Sequence, residues 1–164
     1  ATVVTTVSSD EKATLARAAG AHHVVNYRES DAGTEVRALA PDGVDLVVDV
    51  AIIQNADLAA RVLKPRGAVS IYANTGGTEV SLPVRPFMSL NARLQFILLY
   101  TVGEDALRAA AEDVAAAVAD GVLEVGEEHG LPLIRHPLDE AGAAHDAVEN
   151  GAVGKVLIDV TDLD

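Results

Sequence analysis

Two hydroxyls and a cation share one short turn near the amino end: Ser8, Ser9 and Lys12, in VSSDEK. Ser9 is placed to cap a helix, with Asp10 and Glu11 in the first turn, where the helix dipole favours acids. Lys12 then falls at the third helical position. A cation opposes the dipole there, and a capping box would carry Glu or Gln instead. A lysine beside two hydroxyls and free backbone N–H groups makes an anion site. The same residue also reads as a solvated surface lysine offset by Asp10 and Glu11, and the turn alone leaves both readings open.

Other candidates are weaker. His22, His23, His129, His136 and His145 form no HExxH or other metal spacing. Asp49 ends a strand, where parallel sheets meet ligands, but an aspartate there also caps the following loop. The NTGGT loop, residues 74–78, offers backbone amides and positive-φ freedom for close ligand approach. No GxSxG elbow occurs. No cluster of acids marks the end of the first strand, as a phosphoacceptor site would require. A GxGxxG loop is also missing, since Gly76 and Gly77 stand far from the first strand.

The elements that position these residues alternate. Residues 2–7 form a β-branched strand. The helix capped by Ser9 buries Leu15, Ala16, Ala18 and Ala19, and Gly20 ends it at C′. Residues 22–27 return as a strand. A helix over 34–40 and a strand over 44–50 follow, the latter with an apolar centre suited to cover on both faces. Residues 51–55 are a loop, 56–63 a helix, 64–67 (KPRG) a turn and 68–73 a strand. Residues 80–91 are irregular with a short helical turn, and 94–100 (LQFILLY) form the most apolar strand. In the helix over 104–120, Leu107, Ala111, Val114 and Val118 mark one buried face. Residues 131–137 are extended, with prolines that exclude a central strand; a helix over 139–149 and a strand over 155–160 complete the chain. This alternation specifies a Rossmann-like, doubly wound parallel sheet in a three-layer α/β/α arrangement, one domain over residues 1–164.

Composition narrows the function. The chain is 49% hydrophobic but 3% aromatic, so its core is aliphatic, as in a parallel sheet. No Cys occurs, which leaves no disulfide and no thiolate site. A formal net charge of −13 argues against nucleic acid and anionic membranes as partners. Any phosphate must be held by a local cation. No run is long enough to span a bilayer and nothing resembles a signal peptide, so a cytoplasmic location is expected.

Taken in order, SSDEKATLARAAGAHHVVNYR, DGVDLVVDV, LKPRGAVSIYANTGG and LPLIRHPLDEAGAAHDAVENGAVGKVLIDV resemble the nucleotide-binding half of medium-chain dehydrogenases/reductases. Within that superfamily the chain is most similar to the zeta-crystallin-like quinone oxidoreductase branch. The resemblance covers nearly the whole chain and implies NADPH as cofactor. Ser8, Ser9 and Lys12 match the grip on the adenosine 2′-phosphate, and no acid ends the first strand at Thr6-Val7-Ser8 to repel it. Tyr27 and Arg28 match residues near the same phosphate. Tyr72, Ala73 and Asn74 match a strand end that passes along the dinucleotide. Leu98, Leu99 and Tyr100 match a segment whose backbone meets the nicotinamide amide, and Asn150 begins a late loop that closes on the cofactor.

The resemblance further implies hydride transfer from NADPH to a quinone or enone, no metal ligand in this stretch, and a homodimer paired through the edge strand at residues 94–100. It departs from the family in lacking the substrate domain, the first strand and the glycine loop. The expectation is therefore a fragment of a larger two-domain oxidoreductase, incomplete at its amino end and inactive alone. A zinc-dependent alcohol dehydrogenase and a non-catalytic dimerisation or nucleotide-sensing module are the alternatives.

Overall fold

The computed structural model describes residues 1–160. Every strand pairing in it is parallel, as the alternation requires. The pairings fall into three separate sheets, β1-β2, β3-β4-β5 and β6-β7. The chain divides into two compact units, one built from Ala1–Glu29 and the chain from Ala116 onward, the other from Ser30–Ala115.

The first unit opens with β1 (Val4–Val7), α1 (Asp10–Ala18) and β2 (His23–Asn26). Ser9 is extended and accepts from Lys12 N, as an N-cap should. Gly20, at φ +94°, follows the helix where a left-handed residue is wanted. The buried residue of α1 is Ala13. Leu15 and Ala16 are half-buried and the expected Ala18 and Ala19 are exposed, because the helix rests on β1 and β2 by its first two turns. Later in the chain β6 (Leu133–Pro137) pairs with β7 (Lys155–Asp159), and α6 (Ala141–Glu149) buries Ala144. The last strand reaches Asp159 rather than residue 160, and the acidic tail lies outside the described residues.

The second unit contains α2 (Ala32–Leu39), β3 (Val44–Asp49), α3 (Ile52–Val62), β4 (Leu63–Ile71), α4 (Val84–Ser89) and β5 (Arg93–Phe96). Its core joins Ile52, Ala56 and Ala59 of α3 to Leu63, Val69 and Ile71 of β4 and to Phe87. Helix α3 begins at Ile52, so the expected loop over residues 51–55 is mostly helix. The KPRG segment is not a turn between elements. It bulges within β4: Val44 pairs with Leu63, Leu46 pairs with Ala68, and Arg66 adopts φ +66°.

Three apolar segments depart from expectation. On β3, Val47 faces the core while Leu46 and Val48 are 51% and 63% exposed. On α5 (Glu104–Ala119) no residue is buried, and Leu107, Val114 and Val118 are exposed. The expected strand over residues 94–100 ends at Phe96. Leu98 precedes a 3-10 turn, Leu99–Thr101, whose closing bond runs from Thr101 N to Leu98 O at 3.0 Å.

Helix α2 starts two residues earlier than its periodicity suggests because Asp31 caps it. Its carboxylate accepts from Thr34 N at 2.8 Å and from Thr34 Oγ1 at 2.7 Å. Arg61 of α3 donates Nη1 to Oδ2 at 3.0 Å and Nη2 to Oδ1. The Arg61 hydrogen bond, then those from Thr34, hold the Asp31 carboxyl well below the usual carboxylate range. A depressed carboxylate stabilises the fold above its unfolded-state pKa, and that contribution disappears as pH falls through the folded value. Asp31→Asn keeps a capping side chain and loses the ion pair. Its thermal midpoint should lie a few degrees below that of the parent at neutral pH. The gap should close as pH drops below about 4, read by circular dichroism melts; a gap constant with pH would show that the pair contributes nothing.

Candidate functional site

The turn after β1 gathers the residues singled out first. Lys12 Nζ donates to Ser8 Oγ at 3.2 Å, and Lys12 N donates to Ser9 Oγ at 3.3 Å. The exposed lysine therefore bends back toward the residue that precedes its own helix. Among the described residues no carboxylate lies within ion-pair distance of Lys12. A single cation, two hydroxyls and the open N–H groups of a first helical turn thus stand together, a donor set suited to an anion. Asp10 and Glu11 follow on the helix and are exposed.

Strand β2 delivers its own candidates to the same end of the sheet. Val7 pairs with Asn26, and Tyr27 N donates to Val7 O at 3.1 Å. Tyr27 and Arg28 therefore leave the sheet beside Ser8. Arg28 N donates to Asn26 Oδ1 at 3.2 Å, which turns the chain there. Asn150, in the same unit, caps α6 and donates its backbone N–H to Asp146 O at 2.9 Å. No hydrogen bond among the described residues links it to the Ser8–Lys12 cluster.

In the second unit the candidates lie at the carboxyl ends of β3, β4 and β5. Tyr72, Ala73 and Asn74 continue from β4, and Tyr72 N donates to Asp49 O at 3.3 Å. Ile97 N donates to Ile71 O at 2.8 Å, so Leu98, Leu99 and Tyr100 emerge beside them. Tyr100 is 88% exposed. Asp49 is buried, and its carboxylate accepts from Ala51 N at 2.6 Å and Asn55 Nδ2 at 2.9 Å. Of its two readings the structure gives the loop cap. Gln54, with no local motif to single it out, stands on α3 against the NTGGT turn. A loop over residues 51–55 would give it no helix to stand on.

The remaining chemistry is sparse. His22 and His23 are exposed, and His22 Nδ1 accepts from Val3 N at 3.2 Å. His129 Nδ1 lies 2.9 Å from Glu124 Oε2. No group of three or more His, Cys, Asp or Glu among the described residues could hold a metal ion. No described helix is long and apolar enough to cross a membrane.

Residues 1–117 match the family described as zinc-binding dehydrogenase. A 2-haloacrylate reductase of a Burkholderia species is 32% identical over 152 residues, covering 88% of this chain and 44% of that protein. The Escherichia coli quinone oxidoreductase, solved in complex with NADPH, superposes with a TM-score of 0.74 at 25% identity, over 94% of this chain and 48% of that one. The alcohol dehydrogenase of Aeropyrum pernix gives a TM-score of 0.74 at 26% identity, over 95% and 42%. The chain spans less than half the length of these relatives.

The cap at Ser9 can be separated from the anion site it borders. Ser9→Ala should destabilise the chain by about 1 kcal/mol, the usual cost of a lost N-cap, measured by urea unfolding. Ser9→Asp should restore that stability. If both variants unfold alike, Ser9 does not cap α1 in solution.

Proposed function

The chain belongs to the zinc-binding dehydrogenase family, in the medium-chain dehydrogenase/reductase superfamily of oxidoreductases, and from that premise we propose that it is the cofactor-binding part of an NADPH-dependent reductase. The observation that carries this reading is the Ser8–Ser9–Lys12 cluster at the end of a β-strand that carries no acid. Its donors fit a terminal phosphate. Lys12 supplies the charge, the Ser8 hydroxyl orients the ammonium, and the first N–H groups of α1 remain for the phosphate oxygens. Tyr27 and Arg28 flank the same group. Asn150, in the same unit as this cluster, is a further proposed cofactor contact; within the second unit, Tyr72, Ala73 and Asn74 after β4 and Leu98, Leu99 and Tyr100 after β5 are the proposed contacts.

When bound, NADPH supplies a hydride, and the acceptor takes up that hydride and one proton. The acceptor class follows from the relatives' names. A 2-haloacrylate and a quinone are both electron-poor conjugated systems. A quinone or enone is accordingly the proposed substrate. The chain's own contribution is positioning of the reacting carbon, and the residues named above supply binding contacts only. A second reading, an alcohol dehydrogenase using zinc, draws on the family description and the Aeropyrum likeness. Stoichiometric zinc in the full-length protein would favour it over the quinone-reductase reading. A non-catalytic module is separated by the coding sequence upstream: a strand, a glycine loop and a β-rich domain there support the enzyme.

We also propose that a second copy pairs along the outer edge of β5, unpaired among the described residues, and the segment that follows it, where Phe96, Leu98 and Leu99 are exposed. An apolar edge of this kind otherwise invites uncontrolled association.

Two experiments test these proposals in the full-length protein. Lys12→Glu should weaken NADPH by roughly 30-fold or more while changing NADH little; an equal effect on both would remove Lys12 from the phosphate site. Phe96→Asp should convert dimer to monomer in sedimentation velocity, and an unchanged dimer would place the interface elsewhere.

A further inference from the structure

The NTGGT turn after β4 is held by a side chain from outside it. Gln54 lies in the first turn of α3. With its amide nitrogen facing the two nearest carbonyls, it donates to Ala51 O and to Thr75 O, each at 3.1 Å. The opposite orientation would set oxygen against oxygen, so the partners fix the assignment. Gly76 sits directly against this amide. Its φ is +98°, and a Cβ at that position would collide with the Gln54 side chain, 2.8 Å from Cδ. The amide thus occupies the space that a side chain at position 76 would take.

The anchor of this clamp is itself fixed. Ala51, whose carbonyl accepts from Gln54, donates its own N–H to the buried carboxylate of Asp49. The other Asp49 oxygen accepts from Asn55, one residue beyond Gln54. Thr75 N donates to Val50 O at 3.0 Å, and Gly77 N donates to Asn74 O at 3.1 Å. One continuous set of hydrogen bonds therefore runs from the end of β3 through the start of α3 into the turn. Without Gln54 the turn keeps its own internal bond and the Val50 contact but loses its tie to the helix. A turn with two positive-φ glycines has many conformations open to it, and ordering it before a ligand arrives removes that cost from binding.

We propose that Gln54 is a positioning residue for dinucleotide binding: it clamps the Thr75-Gly76 turn to α3 and thereby sets the course of Tyr72–Ala73–Asn74. This rests on the reading of the chain as a cofactor-binding part. Gln54 acts through Thr75 and touches no reacting atom.

The test uses Gln54→Glu and Gly76→Ala in the full-length protein. The glutamate has the same size, but its ionised carboxylate faces two carbonyl oxygens and repels them. The alanine displaces the amide from the other side. Deuterium exchange over residues 73–78 of the free protein reads the clamp, and titration with NADP⁺ together with steady-state kinetics reads its consequence. Exchange there should quicken several-fold in both variants. The cofactor Kd and KM should rise about tenfold, with kcat within about twofold. The double variant should be no worse than either single one, because both cut the same tie. Faster exchange with unchanged cofactor KM would show that the clamp does not reach the ligand, and would overturn the proposal. Unchanged exchange would show that there is no clamp. A fall in kcat with KM unchanged would mark simple loss of folded protein and would overturn it too. If the parent protein binds neither NADPH nor NADH, the cofactor reading falls, and this inference with it. If the parent binds and the variants match it, only the clamp falls.

Discussion

Parallel pairing governs the rest of this structure. Two parallel strands cannot be joined by a tight hairpin; each return needs a crossover, here a helix. Each of β1, β3 and β4 therefore ends in a turn that must redirect the chain, and for β1 and β3 the turn leads straight onto a helix. The open N–H groups of a first helical turn and the carboxyl end of a strand are thus brought together repeatedly, without any residue being selected for it. In the second unit the pairing is secured by β4, whose Val69 and Leu63 are almost wholly removed from solvent. Burial of these side chains fixes the register, and the register fixes where Tyr72 and Asn74 leave the sheet.

The chain resolves the problem of ordering such turns in two different ways. After β1 the turn is short, and Ser9 orders it from within by accepting the N–H of Lys12. After β4 the turn is longer and glycine-bearing, and its order comes from Gln54 on a neighbouring helix. Asp49 connects the second solution to the core. A buried carboxylate must be hydrogen-bonded to be tolerated, and its two partners, Ala51 N and Asn55 Nδ2, both lie at the start of α3. These two hydrogen bonds offset the cost of burying the group and also fix the helix end that holds the turn.

What the sequence discloses and what it hides divide along the same physical line. Signals that act within a few residues are legible: the Ser9 cap, Gly20 at the end of α1, the alternation of elements, and the closeness of Ser8, Ser9 and Lys12. Signals that depend on a distant partner are not. The spacing of Leu107, Ala111, Val114 and Val118 records that one face of α5 is apolar, but not what covers it, and the face is exposed here. Leu46 and Val48 repeat the lesson on β3. KPRG carries strong turn residues, yet the strand keeps its partner on both sides and bulges around them. The start of α3 carries no local signal, because Ala51 offers no capping side chain and Ile52 and Ile53 are β-branched. The role of Gln54 depends on that helix start and is equally invisible in the sequence.

In the proposed reading, a conflict of local rules at Lys12 marks the phosphate site. With a formal net charge of −13, the chain gives an approaching phosphate no general attraction. Recognition must therefore come from groups within a few ångströms. The amino end of a helix already carries partial positive charge, and a lysine added at its third residue raises the cost of the empty state. Asp10 and Glu11 offset part of that cost from the exposed side, while Ser8 draws the ammonium back toward the N–H groups. The arrangement is poorer than a capping box as a helix start and better as a receptor for an anion. The proposed phosphate site would account for this exception, since local rules are broken where function and stability compete for the same residues.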